Sequence, residues 1–174
     1  GVGITNSVMY ALKKFGIEVT DRADLYKFIG PPLKDGFMNF YGFSENDALK
    51  AVDYYREYFK CTGIFENKVY DGIEDILKML KERNIKICLA TSKPEVFALQ
   101  ILEHFDLKKY FHIISGSEFD GTRLHKTDVI KHVFSQLENP ENSIMIGDRK
   151  FDIISAHECN IKCIGVEYGF PKEN

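Results

Sequence analysis

Two aspartates four residues apart, Asp148 and Asp152, are the residues of this sequence best suited to chemistry. The apolar run before them, Ile144 to Gly147, is typical of a buried parallel strand, and a helix should begin near Asp152. In α/β proteins, ligands bind in the crevice beyond the carboxyl ends of such strands. Two carboxylates there would supply the hard oxygen ligands that Mg²⁺ prefers, so we expect a magnesium site.

Hydroxyl groups and a lysine stand at similar places elsewhere in the chain. Thr91 and Ser92 follow a near-continuous apolar run from Ile85 to Ala90, which is typical of a buried strand. Ser92 to Glu95 reads as a capping box with proline in the first helical turn, and a helix N-terminus is a ready anion site. Lys126 begins a later helix after a polar loop and could direct its ammonium to the same crevice.

Hydroxyls, an ammonium and two carboxylates at one sheet edge describe a site for a phosphate group together with Mg²⁺. Each of these residues also has a purely structural explanation. Asp148 could simply end its strand, Asp152 and Ser92 could cap helices, and Lys126 could be a solvated lysine. Their joint occurrence, in this order and on these elements, favours the phosphate site.

Composition excludes several other classes of function. The 174 residues are 44% hydrophobic and 28% charged, as in a soluble globular protein, and the net charge of −3 gives no electrostatic reason to bind nucleic acid or an anionic membrane. No run of 18 apolar residues predicts a membrane span, and the N-terminus lacks the features of a secretion signal. The four cysteines form no zinc or CxxC spacing. We therefore expect a cytoplasmic protein with reduced thiols, either a monomer or a homodimer.

Hydrophobic periodicity divides the chain into two parts. Apolar residues at helical spacing predict helices near residues 4–15, 21–29, 33–41 and 44–59. The many aromatic residues of this part are expected in its core. From about residue 68, strands and helices alternate, with strands predicted at residues 85–90, 111–115, 144–147 and 161–166. This alternation predicts a parallel α/β sheet with right-handed crossovers.

The motifs together resemble those of the haloacid dehalogenase-like hydrolase superfamily, in particular its phosphoglycolate-phosphatase-like branch with a helical cap. Ala90 to Pro94 resembles the second motif of that family, Lys126 the third, and Gly147 to Asp152 the fourth. Phe28 to Leu33 resembles a cap segment that overhangs the active site in this branch. The resemblance extends over essentially all of the chain.

The resemblance implies a fold and an activity. The fold is an α/β, Rossmann-like parallel sheet core, residues 68–174, with an all-helical cap subdomain, residues 1–67. The activity is that of a Mg²⁺-dependent phosphatase acting on a small phosphorylated metabolite, such as phosphoglycolate, a nucleotide, a sugar phosphate or pyrophosphate, through an aspartyl-phosphate intermediate.

The resemblance also implies a role for each candidate residue. Thr91 and the N–H of Ser92 would hold phosphoryl oxygens, with Lys93 also binding substrate. Lys126 would neutralise the nucleophile and the transferring group. Asp148 would bind Mg²⁺, and Asp152 would order the metal site through water or through Lys126.

One departure from the family pattern is large. The nucleophile of this family is the first aspartate of an Asp-x-Asp-Gly-Thr motif on the central strand before the cap, and this motif does not occur in the sequence. Phe119 to Thr122 is superficially similar, but no apolar strand leads into it, so we expect a loop. The chain also stops soon after Gly169-Phe170-Pro171. We therefore expect a fragment without the sheet's middle strand, whose neighbouring strands have unpaired inner edges.

Other functions remain open on the same residues. A phosphomutase or a dehalogenase could use the same scaffold. A signalling phosphoacceptor domain also combines an aspartate pair, a hydroxyl and a lysine, but its lysine comes late in the chain, whereas Lys126 precedes the two aspartates. A catalytically incomplete scaffold is the remaining alternative, because the chain as given lacks the nucleophile.

Overall fold

A computed structural model describes residues 1–169, which divide into two compact units, Gly1–Val69 and the part that begins at Tyr70. Within residues 1–169, no helix combines the length and the apolar character needed to cross a membrane.

The first unit is entirely helical. It contains α1 (Val2–Lys14), α2 (Leu33–Tyr41) and α3 (Glu45–Cys61), with short 3₁₀ helices at Arg22–Phe28 and Gly63–Phe65. The predicted helices are present, and the second is a 3₁₀ helix. Two predicted helix starts are also seen, because Asp21 accepts a hydrogen bond from the Ala23 N–H and Ser44 accepts one from the Asp47 N–H.

Close packing of α1 against α3 forms the centre of this unit. Val8, Ala11 and Leu12 on α1 are fully buried. Gly3 lies directly against the Gly63 carbonyl, so that any side chain there would overlap the backbone. Among the aromatic residues of this unit, Phe28, Phe37, Tyr55 and Phe59 are buried, whereas Tyr26, Phe40 and Phe65 are exposed, so the expectation that the aromatic residues lie in the core holds only in part.

The second unit alternates helices and strands. Its helices are α4 (Ile73–Glu82), α5 (Glu95–His104), α6 (Lys126–Phe134) and α7 (Lys150–Glu158), and its strands are β1 (Cys88–Pro94), β2 (Ile113–Ser117), β3 (Ile144–Gly147) and β4 (Lys162–Gly165). This confirms the predicted α/β class with parallel strands.

The four strands form two separate parallel pairs. β1 pairs with β2, and β3 pairs with β4 in the register Gly147↔Gly165. Over residues 1–169, β1 and β3 therefore each have a hydrogen-bonded partner on one side only, which is the arrangement expected for the neighbours of a middle strand. The expectation about the stretch after Gly169 falls on residues 170–174, outside the described part.

The first predicted strand is present but its bounds were wrong, and so was the predicted capping box. β1 begins at Cys88 rather than Ile85 and continues to Pro94, and α5 begins at Glu95 without a side-chain cap. The reason is that Pro94 pairs with Ser117 in the parallel register, which keeps the intervening segment extended. Ser92 consequently lies inside a strand and does not cap the helix.

The predicted burial of the third strand was also wrong. Ile144 and Ile146 are 55% and 58% exposed. Both lie on β3, whose only strand partner among the described residues is β4, and this leaves apolar side chains in contact with solvent.

Candidate active site

A bulge in β1 contains the predicted phosphate-binding residues. Ala90 pairs with Ser115 and Pro94 pairs with Ser117, so four steps along β1 correspond to two along β2. Residues 91–93, which lie opposite Gly116 alone, include the predicted Thr91, Ser92 and Lys93. Bulges of this kind redirect backbone groups at the ends of strands and are common beside active sites.

Hydrogen bonds within and across the bulge fix its shape. The Thr91 Oγ1 accepts a hydrogen bond from the Lys93 N–H at 3.2 Å, and the Ser92 carbonyl accepts one from the Ser117 hydroxyl at 3.0 Å. Thr91 is half-buried and the Ser92 side chain is exposed. Burial lowers the pKa of the Lys93 ammonium below its ordinary value, because desolvation disfavours the charged form.

Lys126, the first residue of α6, connects β1 to α7. Its Nζ donates to the Ala90 carbonyl at 3.0 Å and forms an ion pair with Asp152 Oδ1 at 2.8 Å. The two side chains are only 13% and 7% exposed. A cation is unfavourable in the first turn of a helix because of the helix dipole, so the position of Lys126 is not explained by the stability of α6.

Asp152 belongs to the first turn of α7, and both of its carboxylate oxygens are engaged. Oδ1 faces Lys126, and Oδ2 accepts a hydrogen bond from the Arg149 N–H at 3.0 Å. The carboxylate thus caps α7, which is the structural role that the sequence allowed for Asp152, and it also holds Lys126. Gly147 packs directly against this side chain, and a Cβ at Gly147 would overlap it.

Asp148 directly follows β3 and is exposed. The Gly169 backbone lies against its carboxylate, where a Cβ would overlap it. Because Asp148 is exposed and Asp152 is buried, Asp148 is more accessible to a cation from solvent, while Asp152 is better placed to orient neighbouring groups. An exposed carboxylate at a strand end fits Mg²⁺ chemically, as one hard oxygen ligand among several. Residues 1–169 contain no group of three or more acidic, histidine or cysteine side chains arranged to hold a metal ion.

Asp120 belongs to a surface turn. Its Oδ1 accepts hydrogen bonds from the Thr122 N–H at 2.8 Å and from the Thr122 hydroxyl at 2.7 Å. These bonds lower the pKa of the exposed Asp120 carboxyl, with the Thr122 hydroxyl as the main cause. The segment is therefore a loop, as the sequence indicated.

The arrangement brings together a cation, a carboxylate and the bulged end of β1. Such a set can bind the oxygens of a phosphate group and offset the charge that develops during its transfer. Glu95 was predicted only as part of a capping box, and Arg123 was not predicted at all, although both lie next to these segments. Their only sequence signal is that each is a charged residue close to a predicted site residue.

Comparisons with known proteins identify the family to which the sequence is similar. A family model described as haloacid dehalogenase-like hydrolase matches residues 2–166. A 5′-nucleotidase from Pseudomonas aeruginosa is 48% identical over 173 residues, which are 99% of this chain and 78% of that protein. The tyrosine-protein kinase PtkA of Mycobacterium tuberculosis is 33% identical over 98% of this chain and 58% of its own length. Among solved structures, a predicted phosphatase from Clostridium acetobutylicum has a TM-score of 0.87 and 51% identity, covering 98% of this chain and 80% of that one.

Proposed function

The chain belongs to the haloacid dehalogenase-like hydrolase family, and we propose that it is a Mg²⁺-dependent phosphatase that hydrolyses a small phosphate monoester through an aspartyl-phosphate. A nucleoside 5′-monophosphate is the substrate class we favour, because the relative that is 48% identical is a 5′-nucleotidase. Phosphoglycolate and sugar phosphates are the other candidates. In this proposal the helical first unit is the cap subdomain of the family.

The contact that carries the proposal is the buried bridge made by Lys126. The ammonium touches both the Asp152 carboxylate and the Ala90 carbonyl, immediately before the bulge. A buried ion pair contributes little net stability, because desolvation offsets much of the attraction. A lysine held rigidly against the residue that directly precedes the bulge is instead well suited to stabilising the negative charge of a transferring phosphoryl group.

The remaining residues receive roles from their positions. The Thr91 hydroxyl and the Ser92 N–H, both in the bulge, bind phosphoryl oxygens, and Lys93 adds positive charge when protonated. Asp148 holds the metal ion, and Asp152 keeps Lys126 and the start of α7 in place. Bound Mg²⁺ would supply charge stabilisation and would orient the phosphate.

The nucleophile in this proposal is an aspartate from an Asp-x-Asp-Gly-Thr segment that residues 1–174 do not contain. That aspartate would attack phosphorus, and the second aspartate of the segment would protonate the leaving alcohol. We refer below to this chain preceded by such a segment as the extended protein.

Release of inorganic phosphate tests the proposal. The extended protein is incubated with nucleoside 5′-monophosphates, phosphoglycolate and sugar phosphates, with Mg²⁺ and with excess chelator. We expect Mg²⁺-dependent release that is fastest with a nucleoside monophosphate. Release from another monoester alone would correct the substrate class. Absence of release from every monoester, by a folded extended protein, would reject the phosphatase.

A further inference from the structure

A network of charges holds the bulge of β1 from the side of β2. The Arg123 guanidinium forms an ion pair with Glu95 at 3.1 Å and a second one with Glu118. Its Nη1 also lies within 3.0 Å of both ring nitrogens of His132. The Arg123 and Glu95 side chains are only 18% and 27% exposed, so this network is better shielded from water than an ordinary surface ion pair.

Glu95 links this network to the bulge. It is the first residue of α5 and is separated from the bulge of residues 91–93 only by Pro94. Its Oε2 accepts a hydrogen bond from the Gly116 N–H at 3.1 Å as well as from Arg123. Gly116 also approaches the bulge so closely that a Cβ would lie 2.5 Å from the Lys93 carbonyl oxygen and 2.7 Å from the Glu95 backbone nitrogen.

The backbone of Arg123 is strained. Its φ of 54° lies in the left-handed region, which residues other than glycine rarely adopt. Its Nε is buried and, within the described chain, has no hydrogen-bond partner. Strained backbone and unsatisfied buried groups persist where the surroundings require them, and they are concentrated at functional sites.

We infer that Arg123 and Glu95 are positioning residues of the proposed phosphatase, which lock the bulge of residues 91–93 in the shape that presents its donors to the phosphoryl group. Arg123 lies three residues before Lys126, and Glu95 lies two residues after the bulge. The ion pair between them therefore fixes the spacing between two of the segments that would contact the phosphate. The expected change in kcat rests on the proposed function, but the rigidity of the bulge can be measured without catalysis.

Two matched substitutions distinguish the loss of contacts that hold the bulge from the loss of a negative charge beside Arg123. Glu95→Gln and Glu118→Gln each remove one carboxylate charge from the same guanidinium. Of these two carboxylates, it is Glu95 that accepts the Gly116 N–H and adjoins the bulge. We expect Glu95→Gln in the extended protein to lower kcat about 100-fold with little change in KM, as a displacement of catalytic donors by about 1 Å would. Glu118→Gln should change kcat by less than about 3-fold, since the Glu118 side chain is 40% exposed, against 27% for Glu95, and more exposed ion pairs contribute less.

Four further variants extend the test. Arg123→Gln should act like Glu95→Gln, and Arg123→Lys should rescue only partly, because one ammonium cannot replace the forked guanidinium. Gly116→Ala tests the same locking without changing any charge. Glu103→Gln removes an exposed ion pair to Lys108 elsewhere in the unit and should leave kcat unchanged.

Amide hydrogen exchange gives the readout that does not depend on activity. The Lys93 N–H, bonded to Thr91 inside the bulge, should exchange about 10-fold faster or more in Glu95→Gln, Arg123→Gln and Gly116→Ala, because local opening exposes it to solvent. Unchanged exchange and kcat in these variants, whatever their Tm, would overturn the inference. If exchange rises while the unsubstituted extended protein shows no phosphatase activity, the locking stands and the proposed function fails.

Discussion

The Lys126 ammonium and the Asp152 carboxylate form a 2.8 Å ion pair between the first turns of α6 and α7. Each group also has a second partner, the Ala90 carbonyl for Lys126 and the Arg149 N–H for Asp152. The pair thus joins the Ala90 carbonyl on β1 to the start of α7 through side chains that are almost completely buried. Its removal should affect both stability and the proposed catalysis, and the two effects can be measured separately.

Lys126→Ala should lower kcat of the extended protein about 100- to 1,000-fold, as the loss of one transition-state donor does, with a smaller effect on KM. Lys126→Arg should rescue incompletely, because a guanidinium is larger and planar. Steady-state kinetics at a temperature well below each variant's Tm provide the measurement. A change confined to KM would assign Lys126 to substrate binding.

The same substitution should destabilise the fold. It leaves the Asp152 carboxylate buried without its cation, which costs about 3–5 kcal/mol when the partner of a buried pair is removed. Urea unfolding of Lys126→Ala measures this loss. Removing both charges in Lys126→Met/Asp152→Leu should recover part of it, whereas a double variant as unstable as Lys126→Ala would contradict the explanation.

Asp148→Ala should abolish Mg²⁺-dependent activity, because this carboxylate is the proposed metal ligand. Asp152→Asn should weaken the dependence on Mg²⁺ about 10- to 100-fold, as the loss of a group that orients the metal site does. Titration of phosphate release with Mg²⁺ distinguishes the two variants. Full activity of Asp148→Ala at low Mg²⁺ would show that the metal site lies elsewhere.

Gly147→Ala should disrupt the Lys126–Asp152 pair, since the new methyl group would overlap the Asp152 side chain. Overpacking of this kind costs about 1–3 kcal/mol. Gly165 is the matched control, because it is the register partner of Gly147 and a Cβ there would lie 3.9 Å from its nearest neighbour, Ile153. Thermal unfolding should show a lower Tm for Gly147→Ala than for Gly165→Ala, and equal Tm values would argue against the close contact.

Stability should depend on pH through Lys93. Its pKa in the folded protein is below the ordinary 10.5, so between these two values the unfolded chain binds more protons than the folded one. Stability therefore rises with pH in this window, and protonated Lys93 is most destabilising below it. We expect Lys93→Met to be more stable than the unsubstituted protein at pH 7, with a difference that shrinks as the pH approaches 10.5.

The ionisation of buried tyrosines lowers stability at higher pH, opposite to the effect of Lys93, and the two contributions must be separated. Burial raises the pKa of Tyr55, so stability falls when the pH exceeds the ordinary tyrosine value of 10.0. The difference in urea-unfolding free energy between Lys93→Met and the unsubstituted protein removes this common contribution. A difference that is constant from pH 7 to 10 would show that Lys93 is not desolvated.

Restoring a strand between β1 and β3 should stabilise the second unit. Among the described residues each of these strands has one unpaired edge, and Ile144 and Ile146 on β3 are exposed. We expect the extended protein to unfold more cooperatively and at higher temperature than residues 1–174 alone, and to release phosphate where residues 1–174 do not. Turnover by residues 1–174 at the rate of the extended protein would place the nucleophile within them, and Asp120 would be tested first.

Local patterns in the sequence predicted most elements correctly. The bounds of α2, Leu33–Tyr41, and the start of α6 at Lys126 were predicted as they are observed, because helical periodicity and turn residues act over a few positions. The order and the type of the strands were predicted for the same reason.

Features that depend on pairing were not predictable in this way. The pairing of Pro94 with Ser117 converts an apparent helix cap into a bulged strand. The ion pair between Glu95 and Arg123 joins residues 28 positions apart. No local pattern encodes either contact, since both depend on which strands become neighbours. The site residues on these elements stay predictions until the variants above are measured.

The hydrogen bond from Lys126 to Ala90 spans 36 positions in the chain. Contacts at such separation require loop closure before they contribute any stability, and they tend to slow folding. The proposed site should therefore assemble late, after the helix and strand pairs around it. A substitution at Lys126 would then accelerate unfolding and leave the folding rate nearly unchanged, so that the residue governs how long the native state persists rather than how quickly it is reached.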